Sequence, residues 1–161
     1  MNLIGKLLTP ESIALDVVAE SKQQLFEQVG ALFETLRGIP HATVRESLLA
    51  RERLGSTGLG RGIAIPHGRV KQLRGTFAVF VRLRQAIAFD APDSEPVKLL
   101  FVVLVPDHAT ETHLQILSEL AQMFSDPAMR EALASCAAPA EAYRLLCDWS
   151  VNAPAQRRAA V

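Results

Sequence analysis

The residues best equipped for chemistry crowd into one stretch, Leu49 to Val70. Gly55, Gly58, Gly60 and Gly62 lie within eight residues of it. Glycine lets backbone N–H groups turn toward a common point and lets another group approach closely. Ser56 and Thr57 add hydroxyl donors, and Arg51, Arg53, Arg61 and Arg69 add fixed positive charge in fork geometry. A single imidazole, His67, follows in Pro66-His67-Gly68. Such a loop can surround an anion, and the histidine can react with one. An ordinary surface loop can share this composition, so the glycines alone do not decide the chemistry.

Two familiar glycine-loop functions are excluded. A nucleotide-binding Walker loop needs G-x-x-x-x-G-K-[ST], and no Gly-Lys-Ser/Thr occurs. A dinucleotide fingerprint needs G-x-G-x-x-G after a strand and opening a helix; Gly58-Leu59-Gly60 has Ile63 at the third following position, and a strand comes next. A serine-hydrolase elbow, G-x-S-x-G, is also absent, since Ser56 sits between Gly55 and Thr57.

The other histidines are His41, His108 and His113. His41 follows Pro40 in a connection and reads as an exposed loop residue. His108 lies in the turn after an apolar strand. His113 falls in the first turn of a predicted helix, where partial positive charge and free N–H groups attract anions. No H-E-x-x-H zinc motif occurs. A metal-dependent hydrolase would have to recruit Asp107, Glu111 and His67 beside His108 and His113, which makes it the weak alternative.

The elements that must position these groups can be read in order. Leu7-Leu8 before Thr9-Pro10 predicts one helical turn, and alternation of Ile13, Leu15 and Val17 predicts a strand over Ser12–Val18. Ser21 caps a helix with Gln24 as capping-box partner; Leu25, Val29, Leu32, Phe33 and Leu36 form its buried face, and Gly38-Ile39-Pro40 stops it. Thr43 with Glu46 predicts the cap of a second helix, which carries Arg51 to the mouth of the loop. The loop ends in a short strand, Ile63-Ala64-Ile65, stiffened by Pro66 before His67. Strands are expected over Phe77–Leu83 and Ala86–Asp90, and a central one over Leu99–Val105, apolar throughout and so covered on both faces. Thr110 or Thr112 caps the next helix, with Leu114, Leu117, Leu120, Ala121 and Phe124 as its buried face. Asp126-Pro127 and Pro139 open two more. Asn152 to Val161 reads as a disordered tail. This pattern predicts an α/β fold: one three-layer sandwich, a mixed sheet with helices on both faces. In such sheets sites gather at strand ends, so the turns after Ile65 and Val105 can converge and bring His67 to His113.

The whole chain bounds the function classes. Its 161 residues suit one domain, and 49% hydrophobic with 21% charged residues is a globular composition. A formal net charge of zero removes any global electrostatic argument for nucleic acid or membrane. No leader-like start and no membrane-length apolar run is present, so a cytoplasmic protein without membrane insertion is expected. Cys136 and Cys147 lack C-x-x-C spacing and read as ordinary residues of a reducing compartment.

Arg51-Glu52-Arg53-Leu54-Gly55-Ser56-Thr57-Gly58-Leu59-Gly60, followed by Gly62-Ile63-Ala64-Ile65-Pro66-His67-Gly68, resembles the active-site signature of the type-2 (mannitol/fructose-like) enzyme IIA domains of the bacterial phosphoenolpyruvate-dependent phosphotransferase system. Ala86-Ile87-Ala88-Phe89-Asp90-Ala91, Pro96-Val97, Leu99-Leu100-Phe101, Leu104-Val105-Pro106 and Thr112-His113-Leu114 are similar to the nitrogen-regulatory subgroup. The resemblance starts near residue 3 and implies one such domain over residues 1–150, with 151–161 left as the tail. It implies that His67 accepts a phosphoryl group on Nε2, that His113 faces it and helps hold the phosphate, and that Arg51 acts in the site. It further implies phosphate binding by Ser56, Thr57, Gly58 and Gly60. Arg61 departs from the neutral polar residue that relatives often carry there. No metal or other cofactor is implied. The implied donor is a histidine phosphocarrier protein, and the implied role is regulation of targets such as kinases or transporters. A lone carrier domain without an attached transporter segment suits a regulator; a sugar-uptake enzyme IIA passing phosphate to a IIB component is the alternative within the family.

Overall fold

The computed structural model describes residues 2–108 and 111–150. Its central feature is a strand, β6 (Val97–Pro106), of which every residue but Lys98 is buried. Alternation along β6 feeds two cores. Leu99, Phe101, Val103 and Val105 join one core with Ile116, Leu120, Met123, Met129, Leu133 and Leu146. Leu100, Val102 and Leu104 join the other with Leu25, Val29, Phe33, Val44 and Leu48. The first core lies under α3 (Glu111–Phe124), α4 (Pro127–Ser135) and α5 (Pro139–Asp148); the second lies under α1 (Lys22–Arg37) and α2 (His41–Arg53). The fold is therefore an α/β sandwich with helices on both faces of a mixed sheet.

The sheet order is β1 (Ile13–Val17), β5 (Phe77–Ile87), β6, β3 (Ile63–Ala64), β2 (Gly58–Gly60), with β4 (His67–Val70) also on β6. β5 runs antiparallel to β6 and parallel to β1. β3 and β4 both run parallel to β6, β3 opposite Leu99 and Leu100, β4 opposite Val103 to Pro106. They are two lengths of one strand line broken at Ile65-Pro66. Proline has no N–H for the ladder, and the Val103 N–H donates instead to the Pro66 carbonyl at 3.0 Å. His67 thus opens β4 at a break within the sheet and does not lie beyond a strand's carboxyl end.

Several expectations hold as read. Ser21 accepts from the Gln24 N–H, Gly38 closes α1 in the left-handed region at φ 69°, and Asp126 caps α4 with Pro127 in its first turn; the expected capping box at Ser21 is not reciprocal, because the Gln24 side chain accepts from the Glu20 N–H. Others are corrected. α2 starts at His41, not behind a Thr43 cap: Pro40 takes the N-cap position in a non-helical conformation (φ −55°, ψ 131°), and the Glu34 carboxylate accepts the His41 N–H at 3.1 Å. Phe77–Leu83 and Ala86–Asp90 are not two strands: β5 runs to Ile87, with its register to β6 shifting between Arg82 and Ile87. Ile65 falls outside β3, and β2 and β4 had no alternating signal long enough to read. The buried face of α3 is His113, Ile116, Leu120, Met123 and Phe124, with Leu114 66% exposed. Leu120 and Phe124 of the expected face are buried and Leu117 packs half-buried against the core, whereas Leu114 and Ala121 are exposed and His113, Ile116 and Met123 take the remaining inward positions. Thr112 lies inside α3 and does not cap it. Thr110 and the tail lie outside the described residues.

Candidate functional site

Two neighbouring elements deliver the cationic groups. α2 ends at Arg53, which puts Arg51 in its last turn, where a cation offsets the negative helix end. β4 alternates. Gly68 packs so closely on α2 that a methyl there would overlap the Ser47 side chain, and Val70 joins the core beneath α2. His67 and Arg69 therefore turn to the opposite side, toward the first turn of α3. There the rings of His67 and His113 lie 5.0 Å apart, tilted by 53°. Ser47, Ala50, Arg51, Leu54, His67, Gly68, Arg69 and His113 line a cleft of about 410 Å³. Among the described residues, two arginines and two imidazoles face it and no carboxylate does.

Hydrogen bonds fix the tautomer of His67. Its Nδ1 is 2.9 Å from the Ile65 carbonyl oxygen, which can only accept. Its Nε2 is 3.2 Å from Arg51 Nε, which can only donate. Nδ1 therefore carries the proton, and Nε2 presents a lone pair to the cleft. Burial is the main cause that lowers the His67 pKa; the Ile65 carbonyl and Glu52 oppose it, while the Arg51 and Arg69 charges reinforce it. His113 is pushed down to about 4, first by burial, then by His67, Arg69 and Arg51. Both rings are neutral at pH 7. Among the described residues the buried His113 Nδ1 has no hydrogen-bond partner.

Arg51 is held in turn: its Nη1 donates to the Gly55 carbonyl at 2.8 Å. Arg69 Nη1 donates to the Asp107 carbonyl at 2.8 Å, tying β4 to the turn after β6. The arrangement can direct a neutral imidazole nitrogen at an electrophile whose negative oxygens meet guanidinium donors.

His67, His113 and Arg51 are thus brought together as the sequence suggested. Ser56, Thr57, Gly58 and Gly60 are not among the residues that line the cleft. The Ser56 hydroxyl donates to the Phe89 carbonyl at 2.7 Å and accepts from the Gly58 N–H at 3.1 Å. The Thr57 hydroxyl and N–H both go to the Glu52 carboxylate. Gly58 and Gly60 pair with β3, Gly60 at φ 89°. Arg69, one of the four arginines of the stretch but given no site role from the sequence, also lines the cleft; its two-residue spacing from His67 is the signal that places it on the same side. His41 is exposed on Glu34, and His108 is exposed beside Asp107. Among the described residues no three His, Cys, Asp or Glu side chains are grouped to hold a metal ion, so the hydrolase alternative finds no ligand set there. No helix among them is long and apolar enough to cross a membrane.

Known proteins resemble this chain over most of its length. Residues 6–148 match the family model described as phosphoenolpyruvate-dependent sugar phosphotransferase system, EIIA 2. A nitrogen regulatory protein of Pseudomonas aeruginosa is 39% identical over 148 residues, covering 90% of this chain and 95% of the relative. The crystal structure of nitrogen regulatory protein IIA-Ntr from Neisseria meningitidis superposes with a TM-score of 0.85 at 46% identity, covering 90% of this chain and 99% of that one. IIA mannitol from Escherichia coli superposes with a TM-score of 0.74 at 25% identity, covering 86% and 98%. With its family model spanning nearly the whole described fold, the chain belongs to the type-2 EIIA family of the phosphoenolpyruvate-dependent phosphotransferase system.

Proposed function

We propose that this chain is a phosphohistidine carrier of the nitrogen-regulatory type, working in the cytoplasm, with His67 Nε2 as the acceptor. The observation that carries the reading is the Nε2 lone pair of a neutral His67, met by Arg51 and faced by His113 in a cleft without carboxylates. The donor is the phosphohistidine of a histidine phosphocarrier protein. His67 Nε2 attacks phosphorus in line, the P–N bond to the donor imidazole breaks, and a P–Nε2 bond forms. The donor nitrogen leaves with the electron pair. His67 keeps its proton on Nδ1, and the Ile65 carbonyl supports the positive charge the ring acquires.

Arg51 changes partner during this step. Its Nε–H occupies the Nε2 lone pair at rest and swings to a phosphoryl oxygen once that lone pair is spent in the new bond. Arg69 and the neutral His113 supply further donors to the equatorial oxygens, so transfer rests on positioning and charge stabilisation. Ser56, Thr57, Gly58 and Gly60 contribute by fixing the loop whose Gly55 carbonyl holds Arg51. Phosphorylation adds nearly two negative charges to the cleft, enough to switch a surface read by target proteins such as kinases or transporters. The long, well-covered match to a nitrogen regulatory protein supports the regulatory role over sugar uptake. The likeness to IIA mannitol keeps onward transfer to a IIB component as the second reading.

The test is phosphoryl uptake from phosphoenolpyruvate through enzyme I and the phosphocarrier protein. The wild type gains one acid-labile phosphoryl group and His67→Ala gains none. Undiminished labelling of His67→Ala refutes the assignment.

A further inference from the structure

Glu52 is the least expected group next to the site. It is a carboxylate in the last turn of a helix, where the macrodipole disfavours it, and its side chain is only 5% exposed. Burial of a charge is costly unless it is paired and hydrogen-bonded. Here three donors meet it: the Thr57 N–H at 3.1 Å, the Thr57 hydroxyl, and Lys22 Nζ at 2.9 Å. Lys22 is itself fixed, its ammonium 4.6 Å above the Phe89 ring centroid and 3.6 Å from Asp90. Glu52 thus ties the end of α2 to the glycine loop at Thr57 and to the start of α1. The same short loop carries the Gly55 carbonyl that accepts Arg51 Nη1. A fully satisfied network of this kind fixes one geometry.

We propose that Glu52 is a positioning residue for phosphoryl transfer: by clamping Thr57 it holds the Gly55 carbonyl where that carbonyl aims Arg51 Nε at His67 Nε2. Glu52 touches neither phosphate nor partner. It acts through the loop and Arg51, so its loss weakens the transition state more than the docking of the donor. The proposal rests on the carrier reading for its kinetic consequence, while the clamp itself exists without any phosphoryl chemistry.

The experiment uses the full chain with phosphorylated phosphocarrier protein as donor and compares wild type with Glu52→Gln, Thr57→Val and Glu46→Gln. Glu46 is an exposed acid on the same helix and controls for charge removal alone. Glu52→Gln is expected to lower kcat for uptake about tenfold with KM for the donor unchanged, as a small misalignment of a catalytic group does. Thr57→Val, which keeps the volume and removes the hydroxyl, lowers kcat in the same manner, and Glu46→Gln matches wild type. In parallel, NMR of the unphosphorylated proteins reads the Arg51 Nε–H and His67 Nε2 nitrogen resonances. Wild type shows the hydrogen bond between them, and the two clamp variants lose it. Wild-type kcat in folded Glu52→Gln, or a change confined to KM, overturns the proposal, as does an Arg51–His67 hydrogen bond that survives in both variants. If wild type takes up no phosphoryl group, the carrier reading fails, and the NMR comparison alone decides the clamp.

Discussion

At the scale of single residues, the site depends on which nitrogen of His67 is free. The Ile65 carbonyl and Arg51 impose the same tautomer from opposite sides of the ring. Arg51→Lys keeps the charge and loses the fork that reaches Nε2 and the Gly55 carbonyl together. It is expected to slow phosphoryl uptake on His67 about a hundredfold, the size of effect seen when a transition-state donor is lost, as read by single-turnover quench. His113 gives a second test through pH. An unfolded histidine titrates near pH 6.5, whereas folded His113 stays neutral down to about 4. Between these values the unfolded chain binds a proton that the folded chain does not, so stability is full above about pH 6.5 and is lost as pH falls toward 4. His113→Asn, which cannot titrate, should flatten the fall of unfolding free energy over that window in urea titrations. His113→Ala should still carry label on His67, with slower transfer in both directions.

At the scale of elements, the approach of α2 to β4 sets the geometry of the cleft. Gly68 is the contact point, because any side chain there would meet Ser47 Oγ and Cβ. Gly68→Ala should cost about 1–3 kcal/mol by overpacking and shift His67 relative to Arg51, measurable as a lower urea midpoint together with slower uptake. The local signals that were legible in the sequence are those with a one-residue cause: the Ser21, Asp126 and Gly38 caps and the Pro127 and Pro139 starts. The apolar run of β6 was equally plain, because burial on both faces leaves no polar position. What was not legible depends on distant partners. Glu34 caps α2 from seven residues away, so Thr43 was the wrong cap. β2 and β4 are strands only because β3 and β6 supply the ladder. The pairing of His67 with Arg51, sixteen residues back in the chain, and the engagement of Ser56 and Thr57 by Phe89 and Glu52 follow from tertiary contacts that no spacing encodes.

At the scale of the molecule, zero net charge conceals an uneven surface: the cleft carries Arg51 and Arg69 and no acid. Arg61 is a further exposed cation that is not among the cleft's lining residues. It sits exposed at the turn between β2 and β3, with φ at 58° and its N–H donating to Asp93 at 2.7 Å. Arg61→Asn keeps a residue that tolerates the left-handed turn and removes the charge. It should slow transfer from the phosphocarrier protein about threefold more at low salt than at high salt, since exposed charges are screened. Equal slowing at both salt concentrations, or none, would show that the Arg61 charge takes no part in docking.

The central claim is that the phosphoryl group resides on Nε2 of His67. Nitrogen–phosphorus correlation NMR on the protein labelled with ¹⁵N-histidine and phosphorylated through the phosphocarrier protein reads it directly. The account predicts a single phosphorus resonance coupled to His67 Nε2, with the Nδ1 proton retained toward Ile65. Phosphorus coupled to His67 Nδ1, or to either nitrogen of His113, would contradict it.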